Sequence, residues 1–382
     1  MIRRVAAASS VMLIVAGGCR EGVQPFTPVE RDRDDANYAL TFGYGQDADP
    51  RWSPTGDTIL YHTSLFITIP QARGLLLGIP AAGGAAAPVL ADIQVGIGRP
   101  LATPAYSANG DRIAYMDLMS VDVPGACVRP MDEGILPCAS IQPLLDSAVL
   151  RVRAVNDIHS TTLDPRLPVK FAGTDANHRF LNDGPWYEQL FPFQAAYRAE
   201  AAMLFRPSWA PDGQRIAFSD GLSIQVWQIG DAAATTVPGT EDGVSAAWSP
   251  DGEWIAFTHM PRTDSTVYEC ACTVGQTSIP AFRTVYEIGP ETIILVRPDG
   301  SERTELGAGA DPAWSPDGGF LYVRRADAIV RIARADGTAT PVANTERGRS
   351  PAVSPDGAWL AFSRRKLQAT LDYDIWVVSL SQ

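Results

Sequence analysis

The side chains able to do chemistry are few, and their spacing narrows what that chemistry is. The chain holds only four histidines. Two of them, His62 and His259, each close a short apolar segment that follows a Gly-terminated turn, so they read as matched positions on one rim. Imidazole binds metals and relays protons near neutral pH, which makes the pair a candidate site at a channel mouth. Two histidines do not complete a metal site, and no metal is assigned. No G-x-S-x-G elbow supplies a nucleophile and no D-x-D-x-D-G loop supplies a calcium site. No catalytic residue and no cofactor are assigned either. Aromatic rings give the other candidates: Trp186, Tyr187, Phe191 and Phe193 fall within one stretch, and such rings stack on sugars or anchor apolar peptides.

Cysteines form a third group. Cys127 and Cys138 make one close pair, Cys270 and Cys272 another. With no histidine at ligand spacing, disulfides are expected in place of a thiolate metal site. Pairing Cys127 with Cys138 staples one long loop. The alternative crosses between the two pairs, since Cys270-Ala271-Cys272 alone would close a strained ring.

The elements that must position these residues are written as a repeat. A Trp-Ser-Pro-Asp-Gly turn, or a close variant, recurs six times, at Trp52–Gly56, Tyr106–Gly110, Trp209–Gly213, Trp248–Gly252, Trp314–Gly318 and Val353–Gly357. Pro presets φ at the first corner, Asp or Asn suits the second, and Gly supplies positive φ at the exit. A short apolar strand follows each turn: Thr58–His62, Arg112–Met116, Arg215–Ser219, Trp254–Thr258, Phe320–Arg324 and Trp359–Ser363. A second strand follows each of these, then in several units a Gly-bearing hairpin such as Pro298-Asp299-Gly300. Four antiparallel strands per unit make a propeller blade. The spacing from Trp209 to Trp248 equals that from Trp314 to Val353, about 40 residues, one blade.

The expected fold is therefore all-β, a six-bladed β-propeller of four-stranded antiparallel blades over residues 37–382. The last blade reaches only its third strand, Asp374–Ser379, while Tyr38–Gly43 reads as an outer strand without a blade. Pairing the two closes the ring and removes an open edge. Three insertions interrupt the pattern, at Asp117–Ser147, about Gly173–Glu200, and His259–Glu291. In an up-and-down blade all three open on the face away from the Ser-Pro-Asp-Gly turns. Long loops in a compact domain tend to carry function, so this rim, with the aromatic cluster and the two histidines, is the expected binding face.

The repeats resemble the TolB-type β-propeller, the WD-like family built on D-P-x-W-S-P-D-G units. Asp49-Pro50-Arg51-Trp52-Ser53-Pro54 and Asp311-Pro312-Ala313-Trp314-Ser315-Pro316-Asp317-Gly318 match most closely. Such repeats build scaffolds under many activities, so the resemblance speaks to fold.

Residues 1–18 read as an export signal, with Arg3 and Arg4 ahead of a short apolar run. The run ends in Ala16-Gly17-Gly18-Cys19, which resembles a bacterial lipobox with Cys19 as the lipidated mature N-terminus. Residues 19–36 are polar and read as a tether. The formal charge is −12, with no Lys/Arg block, so nucleic acid and anionic membrane surfaces are poor partners. These features point to a monomeric lipoprotein of the bacterial cell envelope, periplasmic or at the outer membrane, touching membrane only through its lipid. Its expected role is a protein- or peptide-binding scaffold working through the loop-rich face, and not an enzyme. The alternative is a saccharide-binding or saccharide-cleaving, lyase-like propeller with a channel-mouth metal site.

Overall fold

The computed structural model describes residues 36–42, 46–64, 74–90, 101–123, 127–131, 134–138, 142–155, 160–163, 173–174, 180–181, 204–274, 277–366 and 373–380. The described residues build an all-β, propeller-like arrangement, and no helix among them is long and apolar enough to cross a membrane. Four separate four-stranded sheets follow one another along the chain. They run Leu101–Tyr106, Arg112–Val123, Gln142–Ala154, Ser160–Leu163; Ser208–Trp209, Arg215–Ser219, Ile224–Gln228, Thr235–Thr236; Gly243–Trp248, Ile255–His259, Thr292–Val296, Thr304–Ala308; and Ala310–Trp314, Phe320–Arg325, Ala328–Ala333, Ala339–Pro341.

The two remaining turn repeats lie in one eight-stranded sheet. It joins Gly348–Val353, Trp359–Arg365 and Tyr373–Ser379 to Gln46–Trp52, Thr58–Ser64, Gly74–Pro80 and Ala87–Pro88 through a single parallel pair, Gln46 with Tyr373. Its eighth strand, Asn37–Ala39, pairs antiparallel with Tyr373–Ser379, with Tyr38 opposite Val377.

The turns form as their composition dictates. Gly56 takes φ +74° and donates its N–H to the Ser53 carbonyl at 2.9 Å. The same bond recurs at Gly110, Gly213, Gly252, Gly318 and Gly357. The serine completes the device: Ser249 Oγ donates to the Asp251 carboxylate and accepts the Trp254 N–H at 2.9 Å. Successive turns also touch. A Cβ at Gly110 would lie 3.4 Å from Pro54, at Gly252 3.5 Å from Pro211, and at Gly56 3.6 Å from Pro355. The Tyr106–Gly110 turn has no proline to offer its successor. There Arg112 substitutes, donating to the Gly213 carbonyl at 2.7 Å while its guanidinium sits 5.2 Å from the Trp209 ring centroid.

Each sheet is covered on both faces by its neighbours. Ile216 and Phe218 pack with Ala114, Met116 and Leu150 of the preceding sheet, while Ala217 packs with Ala246, Ile255 and Phe257 of the following one. Alternation along one strand thus feeds two seams of core.

The insertions are not loops throughout. The strands flanking the first run on to Val123 and start at Gln142, and the third folds as the hairpin Arg262–Val274 with Thr277–Ile288. Strand segments of all three meet in a separate six-stranded sheet: Cys127–Met131 pairs with Arg262–Val274, and Phe180–Leu181 runs parallel to Thr277–Ile288.

Candidate functional site

The first strands of five of the six repeats carry the same irregularity. Register shifts fall between Ala48 and Arg51, Ala102 and Ala105, Val244 and Ala247, Ala310 and Ala313, and Arg349 and Ala352. Inside each bulge one residue adopts left-handed φ: Asp49, Thr103, Ser245, Asp311 and Ser350, between +48° and +57°. Asp and Ser tolerate this region through local hydrogen bonds, whereas β-branched Thr103 is an outlier, and strain of this kind costs about 1–3 kcal/mol per residue. The neighbouring unit holds the conformation. The Asp49 N–H donates to Ser363 Oγ at 3.0 Å and the Asp311 N–H to Thr258 Oγ1 at 3.1 Å. In the remaining repeat the same position, three residues before the Trp, is Arg206. Six polar side chains thus occupy one repeat position, and all six are buried.

From this buried ring each strand runs outward to its Trp and Ser-Pro turn, or to their variants. The space they enclose is a funnel of about 520 Å³, lined by the turn residues of all six repeats, with Arg51 and Arg206 at its inner end. Trp52, Trp209, Trp248 and Trp314 stand in its wall between prolines such as Pro54 and Pro250. Trp209 and Trp314 are fixed by donating their indole N–H to the Ala105 and Ala247 carbonyls, each at 3.0 Å.

The inner end is charged. Asp49 lies between two guanidiniums, with Arg206 Nη2 at 2.8 Å and Arg51 Nη2 at 2.9 Å. Burial, with Arg206 alongside, brings Arg51 down to about 10 against the pull of Asp49. Asp311 sits in a linked group. Burial pushes its carboxyl up, but Arg324, Arg206 and Arg349 outweigh burial and hold it at about 2. Arg324 reaches Asp311 at 3.4 Å and grips Glu291 at 2.7 Å and 2.9 Å.

The two candidate histidines are not brought together. His62 lies opposite Ala48, just before the bulge, and Thr258 holds the equivalent place opposite Val244. His259 is one residue further along, opposite Gly243, and in a strand one residue turns a side chain to the other face. The two positions expected to match are therefore one residue out of step. His62 is 1% exposed beside Asp49, Arg206 and Arg51, whereas His259 is partly exposed and feels Arg303, Asp242 and Glu305. Burial lowers both. Among the described residues no three His, Cys, Asp or Glu gather at metal-binding geometry.

Cys19, Trp186, Tyr187, Phe191 and Phe193 lie outside the described residues. The strand register places Cys127 opposite Cys138 on one side and opposite Cys272 on the other, so these three share one row of the six-stranded sheet, while Cys270 lies opposite Ala281 in another. Sequence reasoning missed Arg51, Arg206, Thr103 and the polar ring. The signal was present in the repeat, as the residue before Pro in Asp49-Pro50, Thr103-Pro104, Arg206-Pro207, Asp311-Pro312 and Ser350-Pro351.

Neither a protein-family model nor a curated protein matches the chain. Among solved structures it is similar to a putative TolB from Agrobacterium tumefaciens, at 14% identity and a TM-score of 0.49, over 91% of this chain and 97% of that one. TolB from Acinetobacter baumannii follows at 14% and 0.44, over 88% and 64%. An oligogalacturonate lyase from Vibrio parahaemolyticus gives 11% and 0.42, over 90% and 80%. Likenesses this distant leave the strand topology to carry the fold.

Proposed function

We propose that the protein is a six-bladed propeller that acts as a protein- or peptide-binding scaffold, held in a bacterial cell envelope by lipid on Cys19. The six-blade count is supported by reading the eight-stranded sheet as two blades joined at Gln46 and Tyr373, with Asn37–Ala39 as the outer strand of the last. The succession of turn contacts, which runs from Pro316 at Gly357 through Pro355 at Gly56 to Pro54 at Gly110, supports the same count. Export, tether and anchor rest on the sequence of residues 1–36.

The observation that carries the binding role is the funnel. Proline and indole walls bury an apolar segment, and guanidiniums at the inner end fix its polar group. This moves the working site from the loop-rich rim, where the sequence suggested it, to the short-turn face. Ala108 is exposed and lines the funnel. A photoreactive phenylalanine analogue placed there should cross-link an envelope protein in intact cells, and the same analogue at Tyr187 should not. Cross-linking from Tyr187 alone would return the site to the loop-rich rim.

Oxidative pairing follows from an envelope location. Non-reducing peptide mapping of the native protein should find Cys127 linked to Cys138. A Cys127–Cys272 link would instead select the cross-pairing that the register equally allows, and four free thiols would contradict an oxidising compartment.

A further inference from the structure

The charge at the inner end of the funnel is not balanced. Arg51 and Arg206 share one carboxylate, reaching the same Asp49 oxygen at 2.9 Å and 2.8 Å. His62 is held neutral by burial. A protein of formal charge −12 thus concentrates positive charge at the base of its funnel.

Arg206 is where the excess is available. It is 2% exposed and lines the funnel. Its ion pair with Asp49 lies off hydrogen-bond geometry, and none of its Nε, Nη1 and Nη2 atoms has a hydrogen-bond partner. Asp49 is shared, since Arg51 lies 2.9 Å from the same carboxylate oxygen. Thr103 Oγ1, on the same ring of residues, is likewise buried without a hydrogen-bond partner. A buried guanidinium whose five donors lack aligned acceptors is costly, and its planar fork matches a carboxylate.

Resting on the funnel as the binding site, we infer that its inner end is a carboxylate site. Arg206, with Arg51 beside it, receives the carboxylate of a bound peptide, while the proline and aromatic walls hold the apolar residues that carry it. The carboxylate comes from the peptide's C-terminus or from an Asp or Glu side chain. Both offer the same two-oxygen acceptor, and about 520 Å³ accommodates the last few residues of a peptide but not a folded domain. Charge complementarity selects this occupant: a neutral apolar segment would leave Arg206 sharing one carboxylate with Arg51, and a basic one would add to the excess.

Fluorine NMR on the mature protein tests this with three probes. They are acetyl-Pro-4-fluorophenylalanine as free acid, the same peptide as amide, and acetyl-4-fluorophenylalanine-Glu-amide. One or both carboxylate probes should bind about tenfold or more tightly than the neutral amide. The stronger of the two names the source. Arg206→Gln should erase that preference, weakening the carboxylate probe far more than the amide. Should Arg206→Gln fail to fold, the acid-to-amide ratio on the unaltered protein still decides, with Arg51→Gln as the second variant. Equal binding of all three probes, blocked by Ala108→Trp, would overturn the carboxylate site and leave the funnel standing as an apolar one. Binding by none would overturn it too, and cross-linking from position 108 then judges the funnel independently.

Discussion

Removing residues 37–42 should destabilise the protein by about 5 kcal/mol, while removing residues 21–31 should leave the denaturation midpoint unchanged. The strand Asn37–Ala39 gives Tyr373–Ser379 its outer partner. Leu40 N–H donates to the Ile375 carbonyl at 2.7 Å, and Thr41 Oγ1 accepts the Ile375 N–H at 2.9 Å. Tyr38 and Leu40 are buried in a cluster with Ile59, Tyr61, Ile375 and Val377, and the Tyr38 hydroxyl donates to the Ala81 carbonyl at 2.9 Å. Tyr38 also meets the Trp359 ring edge-on at 6.0 Å. Two large buried side chains contribute about 1.5–3 kcal/mol each, and the net hydrogen bonds about 1 kcal/mol apiece. The conformational entropy of ordering six residues offsets part of this. The midpoint in guanidinium chloride measures the difference between the two truncations. Equal midpoints would mean that the segment is an ornament on a sheet that holds without it, and would remove the main support for a shared last blade.

The repeat is legible because its cause is local. Pro, Asp and Gly at fixed offsets write the turn, and an apolar strand must follow, so the strands from Thr58, Arg215 and Phe320 begin where the sequence places them. The strands flanking the insertions are harder to read. Past Met116 the sequence Asp117-Leu118-Met119-Ser120 loses the apolar run of a strand buried on both faces, yet its pairing with Gln142–Ala154 continues to Val123. Hydrogen-bond ladders that outrun the core leave little apolar periodicity to read. The polar ring escapes for a different reason. Its members are Asp, Thr, Arg and Ser, alike in position but not in type, and what most of them share is a bulge conformation. In sequence only the following proline betrays it. The one-residue misplacement of His259 has a simpler root: His62 follows Gly56 by six residues and His259 follows Gly252 by seven, so a count from the turn glycine already separates them.

That register gives His62 its behaviour toward pH. Burial lowers its imidazole from 6.5 to about 4, Asp49 opposes this, and Arg206 and Arg51 add to it. The unfolded protein binds a proton at His62 below pH 6.5, whereas the folded protein refuses it until about pH 4. Between these values the unfolded state holds more protons, so stability rises with pH and is lost as pH falls through the window. The loss from this residue approaches about 3 kcal/mol at pH 4. The carboxylates with lowered values, Asp311 among them, come into play only toward the acid end of this window and are common to both proteins of a comparison. His259 is lowered in the same direction but is partly exposed and surrounded by other charges, so it shifts both proteins of a comparison alike. Met116 occupies the place of His62 in the following sheet and is buried there, which makes His62→Met the fitting substitution. Neither ring nitrogen of His62 has a hydrogen-bond partner, so replacing it abandons no bond and spares a desolvated imidazole. The variant should match or exceed the parent at pH 7.5, and its unfolding free energy should decline much less than the parent's down to pH 4.5. A parent without that decline, or a variant that declines as steeply, would show that the folded protein accepts a proton at His62 and that the inner end of the funnel is open enough to solvate it.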